Sequence, residues 1–199
     1  MYSQNDEEKW IIDYYKNYVG RFLDIGANDG ISLSCTHRLT ELGWEGVCVA
    51  PSPSAFTKLQ KLYQSNPKII VVNCAVDVDS KLKEFYYMPE GYASTLNIAF
   101  MESKFPGLTN KYQSMYLKTI EFNELLFHFG NNFDFVKIDI EGMDFEVLKI
   151  FPFNFLPKLN MICIEHGRCT YLSDMIEIGK INNFCELVVT PQNLIMVKD

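Results

Sequence analysis

The sequence predicts an α/β fold built on a mainly parallel sheet with helices on both faces. Short apolar runs of strand type alternate along the chain with segments of helical periodicity, and a glycine-containing turn directly follows the first run. Crossovers in such sheets are right-handed. Ligands bind these folds at the carboxyl ends of the strands, so the residues that follow each strand are the first candidates for a site.

The predicted elements follow in order along the chain. A lead-in helix falls within residues 1–19, because Trp10, Ile11, Tyr14 and Tyr18 recur at helical spacing. Strands are expected at residues 21–25, 47–49, 69–73, 135–140 and 159–165, and a closing hairpin is expected to pair 185–189 with 194–197. Helices are expected at 32–42, from the Ser52-Pro53 start to Asn66-Pro67, in the second part of 119–129, at 143–151 and at 172–178.

Composition indicates one domain over residues 1–199. The chain is 48% hydrophobic and contains no Pro/Gly/Ser-rich linker or repeat. Its net charge is −7 and its lysines are scattered, which argues against a nucleic-acid partner. An acidic, polar N-terminus and the lack of any apolar run of about 20 residues predict a cytoplasmic protein without a membrane span. The oligomeric state is left open.

Six cysteines lie mostly within apolar runs and are expected to be buried, reduced thiols. Cys163 and Cys169 bracket Glu165 and His166, which raises a zinc alternative. The spacing disfavours it, because Cys163 falls inside a strand and no CxxC pair supports it. The sequence therefore assigns no metal ligands.

The turn after the first strand, Phe22-Leu-Asp-Ile-Gly-Ala-Asn-Asp-Gly30, is the most informative segment. Its small residues would let the backbone turn tightly into a helix whose amides point at a ligand. Asp24 and Asp29 would repel a pyrophosphate but favour the ammonium and sulfonium of S-adenosylmethionine. A nicotinamide oxidoreductase is therefore disfavoured, whereas a turn with only a structural role stays open.

The end of the second strand lacks an expected carboxylate. Nucleotide-type cofactors usually have their ribose hydroxyls held there by an acidic side chain, and this chain has Ala50 at that position. Hydrogen bonds to a charged group are worth roughly 1.5–3 kcal/mol each, so the loss would cost at least a power of ten in affinity. Ser52 is a candidate for a partial substitute.

Acidic side chains also follow the fourth strand. Asp139 and Glu141 come at its end, and strand alternation points Lys137 and Asp139 the same way, so these two are expected to pair. A second interpretation is that Glu141 and Asp144 only complement the dipole of the next helix.

Five segments in register resemble the FkbM-type methyltransferases: Phe22-Leu-Asp-Ile-Gly-Ala-Asn-Asp-Gly30, Pro51-Ser-Pro53, Asn73-Cys-Ala75, Lys118-Thr-Ile-Glu-Phe-Asn-Glu-Leu-Leu126 and Asp134-Phe-Val-Lys-Ile-Asp-Ile-Glu-Gly142. The resemblance implies a class I, Rossmann-like methyltransferase with a seven-stranded sheet of order 3-2-1-4-5-7-6. It also implies S-adenosylmethionine as cofactor and methylation of a hydroxyl on a sugar, a glycan or a small natural product.

The same resemblance places a set of residues around the cofactor: Asp24, Gly26, Asn28, Asp29, Gly30, Ala50, Ser52, Asn73, Cys74 and Ala75. Family members usually have Glu before the proline that is Pro51 here. Ala50 is therefore a departure that bears on cofactor affinity.

Methyl transfer to a hydroxyl requires alignment of the oxygen and removal of its proton. Candidate bases are His166, Asp139 and Glu141, and the two carboxylates are alternatively candidates to hold a divalent cation. The aromatic-rich insertion at residues 84–118, which includes Tyr92, is expected to form a lid near the acceptor site. The rival hypothesis is a catalytically silent binding module, and Ala50 supports it.

Overall fold

The computed structural model describes residues 1–89, 93–107, 111–167 and 170–198. Its strands are β1 (Arg21–Ile25), β2 (Glu45–Val49), β3 (Ile69–Val72), β4 (Ala75–Val76), β5 (Leu82–Tyr87), β6 (Ser94–Thr95), β7 (Gln113–Ile120), β8 (Phe135–Ile138), β9 (Met161–Glu165), β10 (Phe184–Val189) and β11 (Asn193–Lys198). Its helices are α1 (Glu7–Tyr15), α2 (His37–Glu41), α3 (Pro53–Tyr63), α4 (Ile98–Lys104), α5 (Phe122–Phe129), α6 (Asp144–Lys149) and α7 (Leu172–Ile181), with a 3-10 turn at Phe153–Phe155.

Seven strands form the main sheet, in the order β3-β2-β1-β8-β9-β11-β10. The neighbours from β3 to β9 pair in parallel, whereas β11 is antiparallel to both β9 and β10. The predicted α/β fold with a mostly parallel sheet is therefore confirmed. Numbered among themselves along the chain, these strands have the order 3-2-1-4-5-7-6 that the family resemblance implies.

Two apolar clusters cover the two faces of this sheet. Successive side chains of a strand point to opposite faces, and Leu23 of β1 accordingly packs in one cluster while Phe22 packs in the other. The Phe22 ring lies directly over Gly46 of β2, where a Cβ atom would come within 2.2 Å of it. Glycine at position 46 is thus needed for β1 and β2 to lie side by side with this ring between them.

The structure contains a second, four-stranded sheet that the sequence pattern does not predict. Its order is β4-β7-β5-β6, and it takes up much of the 84–118 insertion together with α4. Exposure alternates along β7, so one face of this strand is toward solvent. Its mixture of polar and aromatic residues does not give a clear strand pattern in the sequence. Residues 90–92, which include Tyr92, lie outside the described part of the chain.

The lead-in helix is shorter than predicted and presents another face. It covers Glu7–Tyr15, so Tyr18 lies beyond it. Ile11 and Tyr15 are buried, whereas Trp10, Tyr14 and Tyr18 are exposed. The Tyr15 hydroxyl donates to the Asp134 carbonyl oxygen at 2.9 Å, which explains its orientation toward the core.

Helix α2 begins later than predicted, at His37 rather than at residue 32. The Asp29 carboxylate accepts the backbone N–H groups of Ile31 and Ser32, and Leu33 has a left-handed φ of 59°. Side-chain bonds of this kind compete with helix formation, because they satisfy the same amides. The glycine turn therefore leads into an ordered loop before the helix begins.

The cysteine prediction is correct for most positions. Among the described residues, Cys35, Cys48 and Cys163 are buried, Cys74 is half-buried, and all of them are free thiols. Cys185 is exposed, contrary to the expectation. Cys169, the second cysteine of the zinc alternative, lies outside the described residues. Within the described ranges, no helix has both the length and the hydropathy needed to cross a bilayer.

Candidate active site

The carboxyl ends of β1, β2 and β8 converge on a cleft, which we name the first cleft. Its walls come from the loop after β1, the segment after β2, the start of the small sheet and the segment after β8. Its empty space, with the open solvent at its mouth included, is about 980 Å³. This is the edge where the strand order reverses, as the fold class predicts.

Gly26 fixes the floor of the first cleft. Its φ is +94°, and a Cβ atom there would lie 1.7 Å from the Asp139 carbonyl oxygen. The amides of Gly26 and Ala27 both donate to the Val49 carbonyl oxygen, at 3.0 and 2.9 Å. Only glycine allows this approach. The turn thus joins the ends of β1, β2 and β8, and Asn28 beside it also lines the cleft.

The two aspartates of the glycine loop have different positions. Asp24 lines the cleft, is buried and accepts a hydrogen bond from Thr36 Oγ1 at 2.5 Å, and burial raises its pKa to about 6. Asp29 is not among the described residues lining the cleft. Burial alone would raise the pKa of Asp29, but hydrogen bonds from Ser32 and Ile31 lower it. The Asp29 carboxylate therefore stabilises the loop through these bonds.

Gly30 and Asn73 also support the cleft from behind, and neither is among the described residues that line it. A Cβ atom on Gly30 would meet Leu59 at 2.5 Å, so this glycine allows α3 to pack closely. Asn73 Nδ2 donates to the carbonyl oxygens of Ala50 and Pro51, at 2.8 and 3.2 Å. Both residues thus shape the backbone beside the cleft, and their predicted contacts with the cofactor stay a prediction.

Ala50 lies at the end of β2, as predicted, and lines the first cleft. Its side chain is buried and its N–H donates to the Val72 carbonyl oxygen at 3.0 Å. Ser52, Cys74 and Ala75 line the same wall. Ser52 precedes α3 but caps no amide among the described residues; its Oγ lies 3.2 Å from Ser54 Oγ.

After β8, the expected pair of Lys137 and Asp139 is present, with Lys137 Nζ 3.2 Å from Asp139 Oδ2. Burial opposes the charge of Lys137, yet the Asp139 carboxylate raises its pKa well above the usual value. Asp144 is the first residue of α6, and it accepts the N–H groups of Ile140 and Gly142, so its carboxylate holds the segment before the helix and caps no helix amide among the described residues. The backbone of Glu141 has a φ of 53°, an uncommon conformation for a side chain of this size.

A second cleft adjoins the first, and two of its charged residues, Lys104 and Glu165, are not predicted as site residues from the sequence. Glu141 and Glu165 are bridged there by Lys104 of α4, with Nζ 2.6 Å from Glu141 Oε2 and 3.0 Å from Glu165 Oε1. Burial, then the charge of Asp139, raises the pKa of Glu141 to about 7 and that of Glu165 to about 9. Both clefts are lined by Leu33, Asp139 and Glu141.

Glu165 can be predicted as a site residue from the sequence, whereas Lys104 cannot. Glu165 ends β9 at the same sheet edge as Asp139, so the rule about strand ends would find it. Lys104 belongs to the insertion, and no local pattern connects it with residues 37 and 61 positions away. Oxygens of Asp139, Glu141 and Glu165 all lie within 4.8 Å of one another, a donor set that hard divalent cations favour.

His166 lies apart from both clefts as the described residues define them. It is buried, its Nε2 is 3.0 Å from the Thr190 carbonyl oxygen, and its N–H donates to the Gln192 carbonyl oxygen at 2.8 Å. A carbonyl oxygen only accepts, so Nε2 carries the proton. The structure gives this candidate base a place in holding the hairpin turn instead.

Solved structures of methyltransferases share this architecture. The METTL16 methyltransferase domain matches with a TM-score of 0.53 at 14% identity, covering 96% of this chain and 65% of that one. Precorrin-6y C5,15-methyltransferase of Geobacter metallireducens GS-15 matches with a TM-score of 0.53 at 12% identity, and the match covers 96% of this chain and 87% of that one. A hypothetical protein of Thermus thermophilus matches with a TM-score of 0.54 at 18% identity, and the match covers 99% of this chain and 87% of that one. A search of curated protein sequences found no match.

The fold and the site geometry together define a class I methyltransferase architecture. Residues 24–182 match the methyltransferase FkbM domain, which covers most of the chain, so the chain belongs to the FkbM methyltransferase family. This family uses S-adenosylmethionine. The chain spans about two thirds of the length of the METTL16 domain.

Proposed function

We propose that this protein is an S-adenosylmethionine-dependent O-methyltransferase that acts on a hydroxyl of a sugar, a glycan or a small natural product. The observation that carries the proposal is that Asp139 and Glu141 line both clefts. A group transfer needs the donor and acceptor sites to meet where a base is available. These two carboxylates mark that junction.

The first cleft fits the cofactor in most respects. S-adenosylmethionine, when bound, supplies an electrophilic methyl group on a positively charged sulfur. Gly26 lets the ends of β1 and β8 meet at the floor of this cleft, and the buried carboxylate of Asp24 suits a cationic group. The wall at Ala50 offers no acceptor for the ribose hydroxyls, so Ser52 is the polar side chain that remains beside it.

The second cleft is the proposed acceptor site. Glu141 is the proposed base, because its pKa of about 7 lets it accept a proton near neutral pH. Thr95 Oγ1 donates to the Glu141 carbonyl oxygen at 2.6 Å and holds this strained residue in place. Lys104 orients the Glu141 carboxylate from the other side. Met88, Pro89 and Phe105 add apolar surface for the body of an acceptor.

A divalent cation is the alternative way to activate the acceptor hydroxyl in this proposal. Asp139, Glu141 and Glu165 are the residues that would hold it, and an ion there would polarise a bound oxygen. Either arrangement suits a small molecule or a glycan. The same carboxylates disfavour a polyanionic partner such as nucleic acid.

The experiment is methyl transfer from S-adenosylmethionine carrying a labelled methyl group. The protein is incubated with sugars, glycan fragments and phenolic natural products, and with matched amine and thiol acceptors, with and without Mg²⁺. We expect label on a hydroxyl compound, and loss of at least about 100-fold in rate in Glu141→Gln. Glu146→Gln, an exposed carboxylate on α6, is the matched control. Transfer only to amines or thiols would overturn O-methylation.

A catalytically silent binding module is the second candidate, supported by Ala50 and by the Lys104 bridge across the acceptor cleft. It predicts no transfer to any acceptor even where the cofactor binds. Restored transfer in Ala50→Glu would instead indicate a methyltransferase with a weakened cofactor site.

A further inference from the structure

Lys137 is the buried cation of the first cleft, with a residue exposure of 4%. Its ammonium has three acceptors: Asn193 Oδ1 at 2.8 Å, the Ile138 carbonyl oxygen at 3.2 Å and Asp139 Oδ2 at 3.2 Å. An ammonium has three protons, so these bonds satisfy it fully. Lys137 therefore has no proton to offer a ligand, and it acts on the site through Asp139.

Residues from distant parts of the chain fix the orientation of Lys137. Asn193 Nδ2 donates to Glu7 Oε1 at 3.0 Å, which turns Asn193 Oδ1 toward the ammonium. Glu7 Oε1 also accepts from Thr190 Oγ1 at 2.6 Å. Glu7 is fully buried in α1. The ammonium is thus held against one oxygen of Asp139 by a connected set of buried bonds.

We propose that Lys137 is a positioning residue that sets how strongly the first cleft distinguishes S-adenosylmethionine from S-adenosylhomocysteine. The inference rests on the proposed function, because it takes the junction of the two clefts as the place of the reacting sulfur. Asp139 is half-exposed at that junction, and Lys137 neutralises it. The Lys137–Asp139 pair keeps the affinities for S-adenosylmethionine and S-adenosylhomocysteine similar, so that S-adenosylhomocysteine can leave after the reaction.

The two ligands differ at one place. The sulfur of S-adenosylmethionine is a positively charged sulfonium, whereas that of S-adenosylhomocysteine is a neutral thioether. The ratio of their dissociation constants therefore reports the local charge at the sulfur, and effects on the shared adenosine and amino-acid parts cancel. Loss of Lys137 would leave Asp139 unpaired and attract the sulfonium. Loss of the Asp139 charge would leave the ammonium unpaired and repel it.

The test is calorimetric titration of the full chain with both ligands. Lys137→Met should raise the preference for S-adenosylmethionine on the order of tenfold, and Asp139→Asn should lower it by a similar factor. Lys137→Arg keeps the charge and should keep the wild-type preference. Lys68→Met removes a lysine from the opposite end of the strands, where Nζ bonds to the Gly43 carbonyl oxygen, and is the matched control.

The titrations distinguish a positioning role of Lys137 from a purely structural one. Opposite shifts of the preference in Lys137→Met and Asp139→Asn support the inference. If both variants weaken the two ligands equally, Lys137 has only a structural role and the inference is overturned. If Lys137→Met does not fold, the Asp139→Asn shift decides alone, because that side chain lies at the cleft surface. Failure of the wild-type protein to bind either ligand would instead count against the proposed function.

Discussion

Restoring an acid at the end of β2 is the sharpest perturbation that the first cleft allows. Ala50 is 1% exposed, lines the cleft and directly follows β2, so a longer side chain there is directed by a fixed backbone. The Asn73 side chain holds the Ala50 carbonyl oxygen at 2.8 Å and keeps this segment in register. We expect Ala50→Glu to place a carboxylate against the ribose position.

The magnitude follows from the bonds gained and the charge buried. Two hydrogen bonds from ribose hydroxyls to a carboxylate are worth roughly 1.5–3 kcal/mol each. Desolvation of the new carboxylate in a narrow cleft offsets part of this gain. A net gain of about 1.4–3 kcal/mol corresponds to roughly 10- to 100-fold tighter binding.

The assay is calorimetric titration of the wild type and Ala50→Glu with S-adenosylhomocysteine. Ala50→Gln has a similar length without the charge and should give a smaller gain, while Ala50→Leu fills the space without polar atoms and should weaken binding. Circular dichroism and thermal unfolding verify that each variant is folded. Unchanged affinity in folded Ala50→Glu would refute the placement of the ribose beside residue 50.

Three further changes test separate parts of the structure. His166→Asn should lower stability by about 1 kcal/mol, because it alters the bond to the Thr190 carbonyl oxygen, and should retain S-adenosylhomocysteine affinity and methyl transfer; a loss of transfer alone would restore His166 as a base. Gly26→Ala should abolish detectable cofactor binding and lower the urea midpoint, because its Cβ atom would lie 1.7 Å from the Asp139 carbonyl oxygen; normal binding would contradict the described turn. Glu165 has a pKa raised to about 9, so the native state binds more protons than the unfolded state between about pH 4.5 and 9, and stability falls as pH rises through this window. Glu165→Gln should remove that slope, and urea unfolding at pH 6 and pH 9 should show an advantage of the variant that grows with pH; an equal difference at both pH values would contradict it.

Much of the fold was predictable, because burial leaves a periodic record in the sequence. The strands of the main sheet read as apolar runs since both of their faces are covered, and Leu23 and Phe22 pack on opposite sides as alternation requires. The small sheet was not predicted. It is half-exposed, so its strands mix polar and aromatic residues, and two-residue strands such as β4 and β6 leave no periodicity.

The position of the site was predictable, but the role of each residue in it was only partly so. The end of a strand can be located from sequence, which placed Asp24, Ala50, Asp139 and Glu141 at the first cleft. Whether a loop residue faces a ligand or its own backbone depends on dihedral angles that local sequence does not fix. Asp29 is one such residue, because its carboxylate turns back onto the amides that a helix would otherwise have used.

In the proposed function, the charge of the first cleft favours S-adenosylmethionine without an acid at position 50. Among the described residues that line it, Asp24, Asp139 and Glu141 are acidic and Lys137 is basic; Lys104 of the second cleft also pairs with Glu141. Burial raises the pKa of Asp24 to about 6 and that of Glu141 to about 7, so their negative charge is held at a cost in free energy. A ligand with a positive charge relieves that cost, whereas ribose hydroxyls do not. In the proposed function, charge in the first cleft and hydrogen bonding at the ribose are therefore separate sources of affinity, and Ala50 removes only the second.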